Sequence, residues 1–162
     1  MTLKDEIPKD KKVKDKTFKD KTSEPNTIKT QTLEPKTLKL AVNGTLMRGL
    51  ALCPNLLNVG ATFEREAKTE PAYRIWSIGD RYPAMIRVRN GGAAIAVEVW
   101  NVPLAGLGIV LSQEPPGLAV GKVRLQDGEE VLGVIGEPLT VEGQKEITQY
   151  GGWRAYQTII QG

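Results

Sequence analysis

Histidine is absent from this chain and cysteine occurs once, at Cys53, so two residue types that commonly hold transition metals and drive nucleophilic or acid–base chemistry are nearly missing. An intramolecular disulfide, a thiolate metal cluster and any Ser–His or Cys–His pair are excluded. Cys53 lies between Leu52 and Pro54 and reads as a small buried hydrophobe. Serine is confined to Ser23, Ser77 and Ser112. No apolar run approaches the ~20 residues of a membrane span, and the N-terminal residues are lysines and acids where a signal peptide would have its apolar core. The expectation is a soluble, cytoplasmic protein with no membrane partner and no cofactor. Its chemistry is left to carboxylates, Lys, Tyr, Thr, Ser and the one Cys.

Basic charge is also scarce where a fold could use it. Residues 1–39 hold eleven Lys against seven acids, whereas the remainder holds eleven Lys plus Arg against twelve acids. The sequence pI near 9.0 therefore belongs to the N-terminal segment and is poor evidence that the folded part binds nucleic acid, so no nucleic-acid partner is expected. That segment repeats a pentad, Lys9-Asp10-Lys11-Lys12-Val13, Lys14-Asp15-Lys16-Thr17-Phe18 and Lys19-Asp20-Lys21-Thr22-Ser23, with looser echoes from Glu24 and from Glu34. A period of five fits neither helix nor strand, so its apolar residues cannot line one face. Residues 1–38 are predicted to be a disordered extension, and residues 39–162 a single folded domain.

From Leu40 on, short apolar runs alternate with Gly, Pro and Asn, the pattern of many short strands. Strands are predicted at Leu40–Asn43, Ala61–Lys68, Ala72–Ile78, Ala84–Arg89, Ala93–Val102, Gly121–Leu125 and Val131–Ile135. Asn90-Gly91-Gly92 and Asp127-Gly128 are predicted to close hairpins. A helix is predicted over Pro103–Gln113, stopped by Pro115-Pro116, and a short helical turn around Asn55–Val59. The implied fold is α+β, a small twisted, mostly antiparallel sheet curled into an open barrel with one or two helices.

Four places could carry chemistry. The turn Asn43-Gly44-Thr45-Leu46 follows an apolar strand and could present unshielded backbone N–H groups to a carboxylate, aided by the Asn43 and Thr45 side chains. Glu114 stands at the end of the predicted helix, where two prolines restrict its backbone and a pocket would raise its pKa toward that of a general base. Glu98 sits in an apolar strand and is expected to face outward, as alternate residues of a half-buried strand do. Arg154, in the aromatic run around Gly151-Gly152-Trp153, could clamp a substrate carboxylate or serve as a structural ion-pair partner beside a Trp153 core plug.

Several segments, in order, resemble the C-terminal domain of allophanate hydrolases, a branch of the gamma-glutamylcyclotransferase-like fold. They are Val42–Gly49, Thr69–Arg74, Gly91–Trp100, Gly121–Gly128 and Gly151–Tyr156. The resemblance implies that the turn at Asn43–Leu46 holds a substrate carboxylate through backbone amides and that Glu114, by position, is the acid/base of the broader fold. It also implies a role in urea or amide nitrogen metabolism. The chain lacks the serine-rich amidase core to which this domain is fused in allophanate hydrolases, so it is not expected to hydrolyse allophanate by that route alone, and a separate amidase is an expected partner. Three functions follow as expectations. The first is a stand-alone domain that binds, and on the enzymatic version converts, a small carboxylated nitrogen compound. The second is a non-catalytic regulatory subunit of a separate amidase, and the third a gamma-glutamyl cyclotransferase-like enzyme using Glu114.

Overall fold

A computed structural model describes residues 36–162. The extension predicted to be disordered lies almost wholly outside the described residues. The first strand, β1 (Thr37–Val42), begins three residues before the expected one and ends in a fully buried Leu40-Ala41-Val42 run. That run is continuous rather than alternating because β1 is central and covered on both faces.

Seven of the eight strands fall where the sequence placed them: β1, β2 (Thr62–Lys68), β3 (Tyr73–Ile78), β4 (Tyr82–Arg87), β5 (Ala96–Pro103), β6 (Leu118–Arg124) and β7 (Glu130–Gly136). A two-residue β8 (Lys145–Glu146) is too short to leave a period in sequence. Two sheets result. The larger runs β2-β5-β1-β7-β6, antiparallel except for β1 beside β7, and the smaller runs β4-β3-β8. The edges of the larger sheet meet at one bridge, Thr69 with Leu125, so the sheet is strongly curled but no closed barrel forms among the described residues.

The hairpin expected at Asn90-Gly91-Gly92 is not one. β4 pairs with β3 and β5 with β1 and β2, so this segment carries the chain from the small sheet to the large. Gly92 is needed there for close approach, since a Cβ on it would lie 2.7 Å from the Tyr73 nitrogen. Asp127-Gly128 does join β6 to β7, with Gly128 at φ +90°.

β5 separates two cores. On one face Val97 and Val99 join Tyr73, Ile75 and Met85 of the small sheet and Trp153 and Tyr156 of α4 (Trp153–Gln161). On the other, Trp100 and Val102 join Leu56 of α1 (Cys53–Asn58) and Val110 of α2 (Leu104–Ser112). The sequence did not announce α4, whose buried Trp153 and Tyr156 are three apart but whose later residues Thr158, Ile159 and Ile160 are β-branched. Trp153 is a core plug as expected, and a Cβ on Gly152 would lie 3.2 Å from the Ala96 side chain.

Candidate functional site

The turn after β1 is a chain of backbone hydrogen bonds: Met47 N donates to Gly44 O at 2.9 Å, Leu50 N to Met47 O at 3.0 Å and Leu52 N to Thr45 O at 2.9 Å. The amides of Gly44, Thr45 and Leu46 donate to no backbone carbonyl among the described residues. Gly44 is required by what lies over it, because a Cβ there would meet the Pro83 ring at 2.6 and 2.7 Å. Asn43 is 3 % exposed, and its side-chain amide donates to Val134 O at 2.8 Å, which ties the turn to β7. The Asn43 amide nitrogen thus fixes the turn instead of being free for a ligand.

α2 delivers Glu114. The helix ends by tightening, with Gln113 N donating to Val110 O and Glu114 N to Leu111 O, both at 3.2 Å. Pro115 bars any further turn, and Gly117, at φ +84°, redirects the chain into β6. Glu114 consequently faces the turn: the two line one narrow cavity of about 10 Å³, together with Tyr82, Pro83, Leu118 and Val134. One Glu114 oxygen, Oε1, is buried without a hydrogen-bond partner among the described residues. Burial alone pushes the Glu114 carboxyl above the ordinary glutamate range. A cavity of about 10 Å³ admits roughly one water, so a larger ligand must displace the Tyr82-Pro83 wall or enter from beyond Glu114. Beyond it lies a second space of about 180 Å³ that shares Glu114, Leu118 and Val134 as walls.

Arg154 is not brought to this cavity. It borders a separate, more open hollow of about 370 Å³ with Met47, Lys68 and Glu98. Glu98, expected to face outward, is instead 1 % exposed and accepts four hydrogen bonds. These come from Arg48 N at 2.9 Å, Arg48 Nε at 3.2 Å, Trp100 Nε1 at 3.2 Å and Arg154 at 3.1 Å. Arg154 also donates to Arg48 O at 2.9 Å. Both polar groups of the Arg48 backbone are therefore gripped, N–H by Glu98 and C=O by Arg154, just after the turn that carries the free amides. The Arg48 guanidinium stacks 3.5 Å from the Phe63 ring centre and pairs with Glu66 at 2.8 Å. Sequence reasoning missed this clamp. Its one visible sign was an acid inside an otherwise apolar strand, and buried charges demand partners that lie far away in sequence.

Among the described residues no group of His, Cys, Asp or Glu side chains is arranged to hold a metal. No helix there is long and apolar enough to cross a membrane.

The family described as allophanate hydrolase C-terminal domain matches residues 38–158. The urea amidolyase of Saccharomyces cerevisiae is 36% identical over 129 residues, which cover 75% of this chain and 7% of that protein. The chain thus spans only a small part of the curated relatives that it matches. Among solved structures, a uropathogenic E. coli-specific protein is 55% identical with a TM-score of 0.74, covering 75% of this chain and 96% of that one. The allophanate hydrolase of Kluyveromyces lactis is 33% identical with a TM-score of 0.73, covering 76% of this chain and 21% of that one. An AIG2-like protein of Mus musculus, 18% identical with a TM-score of 0.50 and covering 64% of this chain and 78% of that one, shares the fold alone, the gamma-glutamylcyclotransferase-like one.

Proposed function

The chain belongs to the allophanate hydrolase C-terminal domain family, and on that premise we propose that it binds a small carboxylated nitrogen compound. The ligand's carboxylate sits on the amides of Gly44, Thr45 and Leu46, and Glu114 exchanges a proton with the group beside it. The observation that carries this reading is that Glu114, with Oε1 buried and unpartnered among the described residues, lines the same cavity as the turn. Backbone N–H groups at a turn hold a carboxylate without a cationic side chain, which suits a cavity that contains no Lys or Arg. A carboxyl whose pKa is raised by burial can both accept and return a proton nearer neutrality. Urea or amide nitrogen metabolism is the setting suggested by relatives that are urea amidolyases, with the amidase step carried by a separate protein.

A regulatory reading has its own support. Leu57 on α1 and Leu104 and Ile109 on α2 are each more than half exposed, and the two helices touch through Val59 and Gly106. Such apolar exposure suits a protein partner, here a separate amidase.

The test is a thermal-shift and turnover screen of the full chain and of Glu114→Gln against allophanate, biuret, small dicarboxylate monoamides and gamma-glutamyl amines, the last also scored for release of 5-oxoproline. A ligand at 100 times its Kd stabilises by about 2.7 kcal/mol. The expected result is stabilisation of both proteins by one class of compound, with turnover by the unsubstituted protein alone. Turnover that survives in Glu114→Gln overturns the acid/base role. No stabilisation by any carboxylate overturns the binding site and leaves the regulatory reading, for which co-purification with an amidase is the measurement.

A further inference from the structure

Glu98 touches both ends of the turn after β1. Its backbone pairs with Val42, the last residue of β1, and its side chain accepts from Arg48 N at 2.9 Å. Arg154, from α4, closes the circuit, since its Nη2 donates to Arg48 O at 2.9 Å and to Glu98 Oε1 at 3.1 Å. One strand residue thus brackets residues 43–47, and one helix residue braces the bracket from outside. The inner end of the circuit is firmly held. β5 is paired on both sides, with β1 and β2, and the buried Trp100 indole donates to Glu98 Oε2 at 3.2 Å.

Stability alone does not account for a carboxylate in this place. Each Glu98 oxygen takes two donors, so its accepting capacity is filled from within the fold. A buried charge with its partners is often no more stabilising than an apolar residue of the same volume, and what it can add is a single fixed geometry. The geometry fixed here is that of the Arg48 backbone, two residues after the unpaired amides of Gly44, Thr45 and Leu46. Neither Glu98 nor Arg154 borders the cavity that those residues line with Glu114.

We propose that Glu98, braced by Arg154, is a positioning residue that holds the turn amides in the geometry that receives a carboxylate, acting through the Arg48 backbone without touching the ligand. This rests on the carboxylate site proposed above and adds what sets its affinity. A turn free to relax presents its three N–H groups together for only part of the time, and its apparent affinity falls by that fraction.

The experiment compares the unsubstituted full-length chain with Arg154→Ala and Arg154→Lys, first without ligand by amide NMR and then by calorimetric titration with glutaramate. Arg154 is half exposed, so both variants are expected to fold. Without ligand, Arg154→Ala is expected to shift or broaden the Gly44, Thr45 and Leu46 amide signals, and Arg154→Lys to leave them in place. Glutaramate is expected to bind Arg154→Ala about tenfold more weakly, as for a turn competent about a tenth of the time, and Arg154→Lys within about twofold of the unsubstituted chain, because an ammonium has donors for both oxygens. Ile75→Val, trimmed in the core that β3 shares with α4, controls for lowered stability and is expected to keep full affinity. Turn amides unmoved in Arg154→Ala, or its affinity unchanged, overturns the positioning role and leaves the carboxylate site standing. Equal weakening by Ile75→Val overturns it as well. Failure of the unsubstituted chain to bind glutaramate overturns the carboxylate site itself, and the positioning role with it.

Discussion

Glu114 and Glu98 are both withdrawn from water, and what meets their oxygens separates a candidate acid/base from a structural pin. Burial raises the Glu114 pKa above the unfolded value near 4.5, and no partner offsets it. A carboxyl whose folded pKa is raised contributes stability that is fully present below about pH 4.5 and is lost as pH rises through the folded value. Glu114→Gln should therefore melt higher than the unsubstituted protein at pH 7–8, by something like the ~1 kcal/mol that an unmatched buried polar group costs, and the difference should vanish below pH 4. Thermal melts across that range check it; a Glu114→Gln variant less stable at pH 8 would mean that the carboxylate has a partner in solution. Glu98 has four donors, and their inequality sets a second expectation. Glu98→Ala orphans the buried Trp100 indole N–H and the Arg48 N–H and should cost about 3 kcal/mol. Arg154→Ala removes a half-exposed guanidinium and leaves Glu98 still paired with Arg48, so it should cost nearer 1 kcal/mol. Urea titrations of the two variants and of their double mutant decide the order.

The contact between β4 and the turn after β1 is where an element acts on the candidate site. Pro83 lies at the start of β4, and its ring occupies the space that a Gly44 side chain would need. Gly44→Ala should destabilise by about 1–3 kcal/mol through overpacking, and Pro83→Ala in the same chain should restore part of that loss. Denaturation of the two singles and the double gives the coupling; strictly additive losses would show that the ring does not press on the turn. The strands were legible because each carries its own alternating or apolar run between Gly and Pro punctuation, and α2 because Pro103 and Pro115 bracket it. What could not be read was partnership. Asn90-Gly91-Gly92 has the chemistry of a hairpin turn, yet β4 and β5 bury their apolar faces against different neighbours, so tertiary packing overrode the local signal. Outward placement of Glu98 likewise followed from alternation, which holds for a strand with one wet face and fails for β5, where both faces are covered.

At the scale of the whole molecule, the described residues of the two cores on either face of β5 run from Leu40 to Tyr156. The Lys36 carbonyl accepts from Leu104 N at 2.8 Å, which makes Lys36 the earliest described residue tied to the fold. A chain starting at Lys36 should melt cooperatively within a few degrees of the full-length protein, and loss of a cooperative transition would show that earlier residues contribute to the fold. The pairing of Glu114 with the turn amides could be anticipated from sequence only through family resemblance. The 69 residues between Gly44 and Glu114 carry no local sign that the end of α2 will meet the end of β1. Arg154 reads from sequence first as a structural ion-pair partner and second as a clamp for a substrate carboxylate, and the fold sets it on Glu98 and the Arg48 carbonyl. The most direct test of the account is an amide nitrogen–proton NMR titration of the full-length protein with glutaramate, a small dicarboxylate monoamide. The account predicts that the Gly44, Thr45 and Leu46 amide signals shift together and saturate at one Kd, with those of Lys68 and Ala96 by the other hollow unmoved. Saturable shifts centred on Lys68 and Arg154, with the three turn amides unchanged, would contradict it.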